Sequence, residues 1–183
     1  GPSFGARQAA GNSVEDIRVL CGYAHRFGVR VFITINTIVY DNELEDVRKL
    51  MLQVQDAGAD AIIVQDTALL ELARGESEEG CPELEIPLHA STQCAIRDVE
   101  TALMYRDLGF SRLVLERELP LETVRRISEA AGTEIEFFVH GALCVCYSGQ
   151  CYMSEAVAGR SANRGECVQA CRSLYDLVDG NGK

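Results

Sequence analysis

The chain has 183 residues, 47% of them hydrophobic and 25% charged, with a formal net charge of -11. That length suits one sizeable core. The acidity argues against an extended nucleic-acid surface on this stretch, because phosphate binding needs clustered Lys and Arg. No apolar run reaches the roughly 18 residues of a membrane-spanning helix, and no membrane partner is expected. The opening "GPSFGARQAAGNS" lacks the cationic start and apolar stretch of a signal peptide. Thiols reduced in a cytoplasmic setting are therefore expected, and eight cysteines are too sparse for a disulfide scaffold.

Read in chain order, four segments share one design: "RFGVRVFITINT", "DAGADAIIVQD", "DLGFSRLVLERE" and "AAGTEIEFFVHG". Each leaves a helix-like stretch through a glycine suited to a helix C-cap and enters a short β-branched or aromatic strand. A fifth strand, "LEIPLHAS", follows the acidic loop "RGESEEGCPE". Between strands run amphipathic stretches such as "DNELEDVRKLMLQVQDAG", where Leu44, Val47, Leu50, Met51 and Val54 recur at helical spacing. Strands centred near Phe32, Ile62, Ile86, Val114 and Phe137 alternate with helices, which predicts parallel βα units. An eight-unit barrel and a doubly wound sheet both fit that alternation, and five strands do not close a barrel. The chain is expected to be a piece of a longer protein, cut at both ends, whose open sheet edges favour a homodimer of the piece.

The strands end on groups suited to chemistry: Asn36 and Thr37, Gln65 and Asp66, His89 with Ser91 and Gln93, Glu116 and Arg117, then His140. In βα folds the carboxyl ends of the strands form the working face, although such residues also serve as ordinary loop starts and caps. Five of the eight cysteines then crowd between Cys144 and Cys171. Cys144, Cys151, Cys167 and Cys171 suit an iron–sulfur cluster or structural zinc; buried unliganded thiols and redox or disulfide partners are the alternatives. Cys167 and Cys171 lie four residues apart, where a helix would put them on one face. Cys146 is a substitute ligand, while Cys21, Cys81 and Cys94 are scattered and read as packing residues. From Cys144 to Ser173 the chain holds Arg160, Arg164 and Arg172 against Glu155 and Glu166, a local charge of +1.

The stretch "EFFVHGALCVCYSGQCYMSEAVAGRSANRGECVQACR" resembles the signature of the U32 family, long called collagenase-like peptidases. "FGAR", "YAHRFGVRVFITINTIV", "AGADAIIVQD", "IPLHASTQ" and "GFSRLVLERELPLE" match it too, so the resemblance covers nearly the whole chain. It implies an α/β fold with a TIM-barrel-like parallel (β/α) domain, here an incomplete barrel. Residues 1–143 would supply the barrel repeats and 144–183 a cysteine-rich segment of the same domain, with the family's C-terminal domains absent. It implies a [4Fe–4S] cluster on Cys144, Cys151, Cys167 and Cys171, and oxygen-independent hydroxylation of pyrimidines in tRNA or rRNA, in some members dependent on prephenate. Hydroxylation in quinone biosynthesis, a metal-stabilised binding module and proteolysis are the alternatives. Cys146 replaces the small residue usual at that point of the motif.

On the cluster reading, His89, Gln93, Glu116 and His140, with Glu136, are the catalytic candidates at the barrel mouth. Arg160, Asn163 and Arg164 of "GRSANRG" are the substrate-binding candidates. The arginines suit phosphate or a small carboxylate, and Asn163 with Gly165 also shapes the turn before Cys167. For proteolysis the chain offers neither HExxH nor GxSxG, only a Cys144–His140 dyad that would compete with cluster ligation for one thiol. An RNA partner is expected to reach this acidic domain through basic surface elsewhere in the full-length protein.

Overall fold

The computed structural model describes residues 3–6, 11–74, 84–141, 144–176 and 178–180. The elements run α1 (Val14–His25), β1 (Phe32–Ile35), α2 (Leu44–Asp56), β2 (Ala61–Val64), α3 (Ala68–Arg74), β3 (Leu88–Ala90), α4 (Val99–Asp107), β4 (Arg112–Val114), α5 (Leu121–Ala131), β5 (Glu134–Glu136) and α6 (Met153–Ala158). Ser13 starts α1 through a capping box: its hydroxyl accepts from the Asp16 N–H, and the Asp16 carboxylate accepts from the Ser13 N–H. Helix α2 is preceded by a 3-10 turn at Asp41–Glu43, where the Glu43 carboxylate accepts from the Tyr40 N–H. Cys81 and most of the acidic loop lie outside the described residues.

The five strands are all parallel and lie in the order β1-β2-β3-β4-β5. Consecutive order decides between the two architectures left open by the alternation. A doubly wound sheet reverses its strand order at a switch point, whereas right-handed crossovers that always step the same way put every helix on one face. The sheet is therefore an arc of a (β/α) barrel. Its helix-side face carries Ile33, Ile35, Ile62, Val64, Leu88, Leu113 and Leu115, packed against Ile17 and Cys21 of α1, Val47, Met51 and Val54 of α2, and Ile127 of α5. Strand alternation sends Phe32, Thr34, Ile63, His89, Arg112, Glu134 and Glu136 to the other face. Cys21 thus serves as a small core residue and Cys94 packs beside the same core.

No described helix is long and apolar enough to cross a membrane. The core predicts a direct outcome: Leu115→Ala, at a fully buried position, should lower stability by about 2–5 kcal/mol, read as a shifted midpoint in urea unfolding.

Candidate active site

The helix-free face carries a charged layer toward the amino ends of the strands. Register aligns Thr34, Ile63, His89, Arg112 and Glu134 across the sheet. Arg112 donates to Glu134 at 2.7 and 3.0 Å and to Glu136 at 3.1 Å. Phe32 receives the Arg112 guanidinium 4.8 Å above its ring and meets the His89 imidazole edge-on at 4.8 Å. His89 is only 4% exposed. Burial, reinforced by the Arg112 charge, holds it down to about 4, so the imidazole is neutral near pH 7. Its place corrects the sequence reading: His89 lies inside β3 and below the mouth, because only the following Ser91 and Gln93 leave the strand. Glu136 likewise belongs to this layer as a partner of Arg112.

The mouth is built by the residues just past the strands. Asn36 donates to Ser91 at 3.1 Å and accepts from the Ala6 N–H. Thr37 donates to the Phe4 carbonyl, so the described 3–6 segment crosses the end of β1. Glu116 is 1% exposed and sits 3.4 Å from Arg97. Burial raises its carboxyl above the usual carboxylate range, against the pull of Arg97 and of the nearby Ser148 backbone N–H. Among the described residues, the buried side-chain polar atoms without a hydrogen-bond partner are Gln65 Oε1, His89 Nδ1, Glu116 Oε1 and Arg117 Nε. All four belong to β3 or to the first residues after β2 and β4.

Onto this mouth docks the turn between Cys144 and Cys151. Arg117 donates to the Ser148 hydroxyl at 2.9 Å, and Arg97 stacks 4.2 Å over the Tyr147 ring. Gly149 adopts φ +74°, and a Cβ there would stand 1.9 Å from the Gln93 carbonyl oxygen. Only glycine permits so close a backbone approach. Gln93 therefore acts at this point through its main chain.

The thiols fall into two groups. Cys146 donates to the Gln150 carbonyl at 3.8 Å; burial first, then Cys151 and Cys144, push its thiol up. On α6, the Ser154 hydroxyl donates to Cys167 Sγ at 3.8 Å and accepts from the Val168 N–H. The chain does not form the helix over Cys167–Cys171 that would put both thiols on one face. Gln169 takes the left-handed conformation at φ 56°, which confines helical geometry to a 3-10 turn at Ala170–Arg172. Cys167 and Cys171 are exposed, and all four candidate ligands are free thiols. Among the described residues no three His, Cys, Asp or Glu side chains gather in a form able to hold a metal ion.

The substrate-binding candidates separate. Arg160 is exposed and Asn163 is buried. Arg164 makes a bidentate pair with Glu43 at 2.6 and 2.9 Å, donates to the Ile38 carbonyl at 2.7 Å and stacks 4.1 Å over Tyr40. Its hydrogen bond holds the Glu43 carboxyl below the usual range. The Asn163 carbonyl accepts from the Ile38 N–H. The "SANRG" segment is thus anchored to the loop after β1. His140, by contrast, is exposed beside the start of the cysteine segment.

The sequence profile of peptidase family U32 matches residues 1–183. The chain belongs to this family. Over all 183 residues it is 52% identical to the 23S rRNA 5-hydroxycytidine C2501 synthase of Escherichia coli, covering 27% of that protein. It is 32% identical over its full length to tRNA hydroxylation protein P1 of Bacillus subtilis, covering 42% of it. It is 33% identical over 190 aligned positions to a collagenase of Porphyromonas gingivalis, covering 98% of this chain and 44% of the relative. The chain therefore spans less than half the length of these curated U32 relatives. The solved structure of the U32 peptidase Mk0906 superposes with a TM-score of 0.57 at 17% identity, over 73% of this chain and 55% of the other. That likeness concerns the fold.

Sequence reasoning missed Arg97, Arg112 and Tyr147, each defined by a partner distant in sequence. The available signal was the alternation placing Arg112 on the helix-free face of β4. Two outcomes follow. A histidine depressed in the folded state stabilises the fold above its unfolded value near 6.5, and that contribution is lost as the pH falls toward about 4. His89→Gln should therefore flatten the decline of the urea midpoint across this window. Gly149→Ala combines a positive φ with a backbone collision, and should displace the turn at a cost of about 1–3 kcal/mol or more, visible as a lowered melting temperature.

Proposed function

We propose that the full-length protein hydroxylates a pyrimidine in tRNA or rRNA, with this domain carrying an iron–sulfur cluster on Cys144, Cys151, Cys167 and Cys171. The observation that carries the reading is the identity across the whole chain with an rRNA 5-hydroxycytidine synthase; the tRNA hydroxylation protein supports it independently. RNA as substrate also favours a cytoplasmic setting. Most of each relative's length lies outside the shared span, so the basic RNA-docking surface is assigned to regions beyond this acidic domain.

The donor set fits the group in its chemistry alone: four free thiols on a single segment, Cys144 and Cys151 flanking the docked turn and Cys167 accepting a hydrogen bond from Ser154. Zinc is the alternative occupant of the same thiolates. A bound cluster would supply one-electron transfer or activation of an oxygen-bearing group. The chain's own residues prepare the surface beside it. Neutral His89 can hold a proton at Nδ1. Exposed Arg160 can neutralise a phosphate or a small carboxylate such as prephenate. His140 flanks the cysteine segment from the outer side.

Deleting the gene should remove one hydroxylated pyrimidine from tRNA or rRNA, read by mass spectrometry of digested nucleosides. Wild type should restore it and Cys167→Ala should not. Intact modification in the deletion strain, together with peptide cleavage by metal-free protein, would overturn the reading in favour of the peptidase activity named for the collagenase relative.

A further inference from the structure

We infer that Arg97, Glu116 and Arg117 form a cradle whose role is to seat the Tyr147–Ser148–Gly149 turn, and so to set where Cys144, Cys146 and Cys151 stand on the carboxyl ends of the strands. The inference rests on the cluster reading only for its consequence, iron binding; the cradle itself stands on geometry. Glu116 follows β4 and its 1%-exposed carboxyl holds Arg97 at 3.4 Å. That contact holds the Arg97 guanidinium over Tyr147, 4.2 Å from the ring centre. Arg117, the next residue, reaches the buried Ser148 hydroxyl at 2.9 Å. The backbone closes the arrangement, because Gly149 presses on the Gln93 carbonyl after β3.

Arginine suits both contacts, donating to a hydroxyl and covering an aromatic ring. The turn lies between Cys144 and Cys151 and carries Cys146, so seating its backbone sets where these thiols stand. Arg117 just past β4 and Arg97 in the loop between β3 and α4 grip the turn at Ser148 and Tyr147 from the scaffold side. Glu116 keeps one of them in place, since an arginine on an exposed loop would otherwise sample many rotamers. Glu116 is on this reading a positioning residue, distinct from a group that touches substrate.

Hydrogen–deuterium exchange of the full-length, metal-free protein tests it. In Arg117→Ala, Arg97→Ala and the milder Ser148→Ala, amides of residues 145–151 should exchange about tenfold faster, with the strand amides unchanged as an internal check on folding. Arg117→Lys, which retains a donor, should stay near wild type. After anaerobic reconstitution the alanine variants should bind less iron per chain than wild type. Unchanged exchange in all three alanine variants would overturn the cradle. Faster exchange with no iron in any protein, wild type included, would uphold the cradle and sink the cluster reading instead.

Discussion

Right-handed crossovers between parallel strands in consecutive order are the constraint on which the rest of this molecule depends. They commit every helix to one face of the sheet. That face can then be wholly apolar, and it is: Ile35, Ile62, Val64, Leu113 and Leu115 are fully buried beneath helices. Among the described residues the other face receives no helix. Polar and charged side chains can occupy it only by partnering one another, as Arg112 does with Glu134 and Glu136. The chemistry-bearing residues are where they are because the fold leaves them one side of the sheet.

The cysteine segment is held to that scaffold mainly by polar contacts. Its first part rests on Arg97, Glu116 and Arg117; its later part is tied through Arg164 to Glu43 and Tyr40 after β1. The two attachments lie near opposite edges of the sheet, so the segment crosses the mouth from the β4 side to the β1 side. Apolar packing is non-directional, whereas a bidentate arginine pair and a glycine against a carbonyl each fix an orientation. That difference suits a segment whose value lies in where its thiols point.

Much of the fold was legible in local pattern. Val47, Leu50, Met51 and Val54 recur at helical spacing and are the buried face of α2. Each glycine chosen as a helix terminus takes a positive φ, Gly132 at 64° among them. The candidate site was legible in part, since Gln65, Ser91, Gln93 and Glu116 do gather at the strand ends. His89 was placed too high because alternation gives a residue's face but not its depth. Whether Cys167 and Cys171 share a helical face was not legible, because a spacing of four does not reveal a left-handed Gln169 between them.

By itself the sequence determined the alternation of strands and helices, the apolar face of each helix, the parallel class of the sheet, and the family signature that ends at Cys171 and Arg172. These are local properties, written in the period of apolar residues and in the glycines between them. Only the tertiary structure decided strand order, the depth of His89, and the partners of Arg97, Arg112 and Arg164. Those depend on residues brought together from far along the chain, as Arg164 and Glu43 are across 121 positions. Charge and hydrogen-bond partnership are properties of a neighbourhood in space, and no window of sequence contains that neighbourhood.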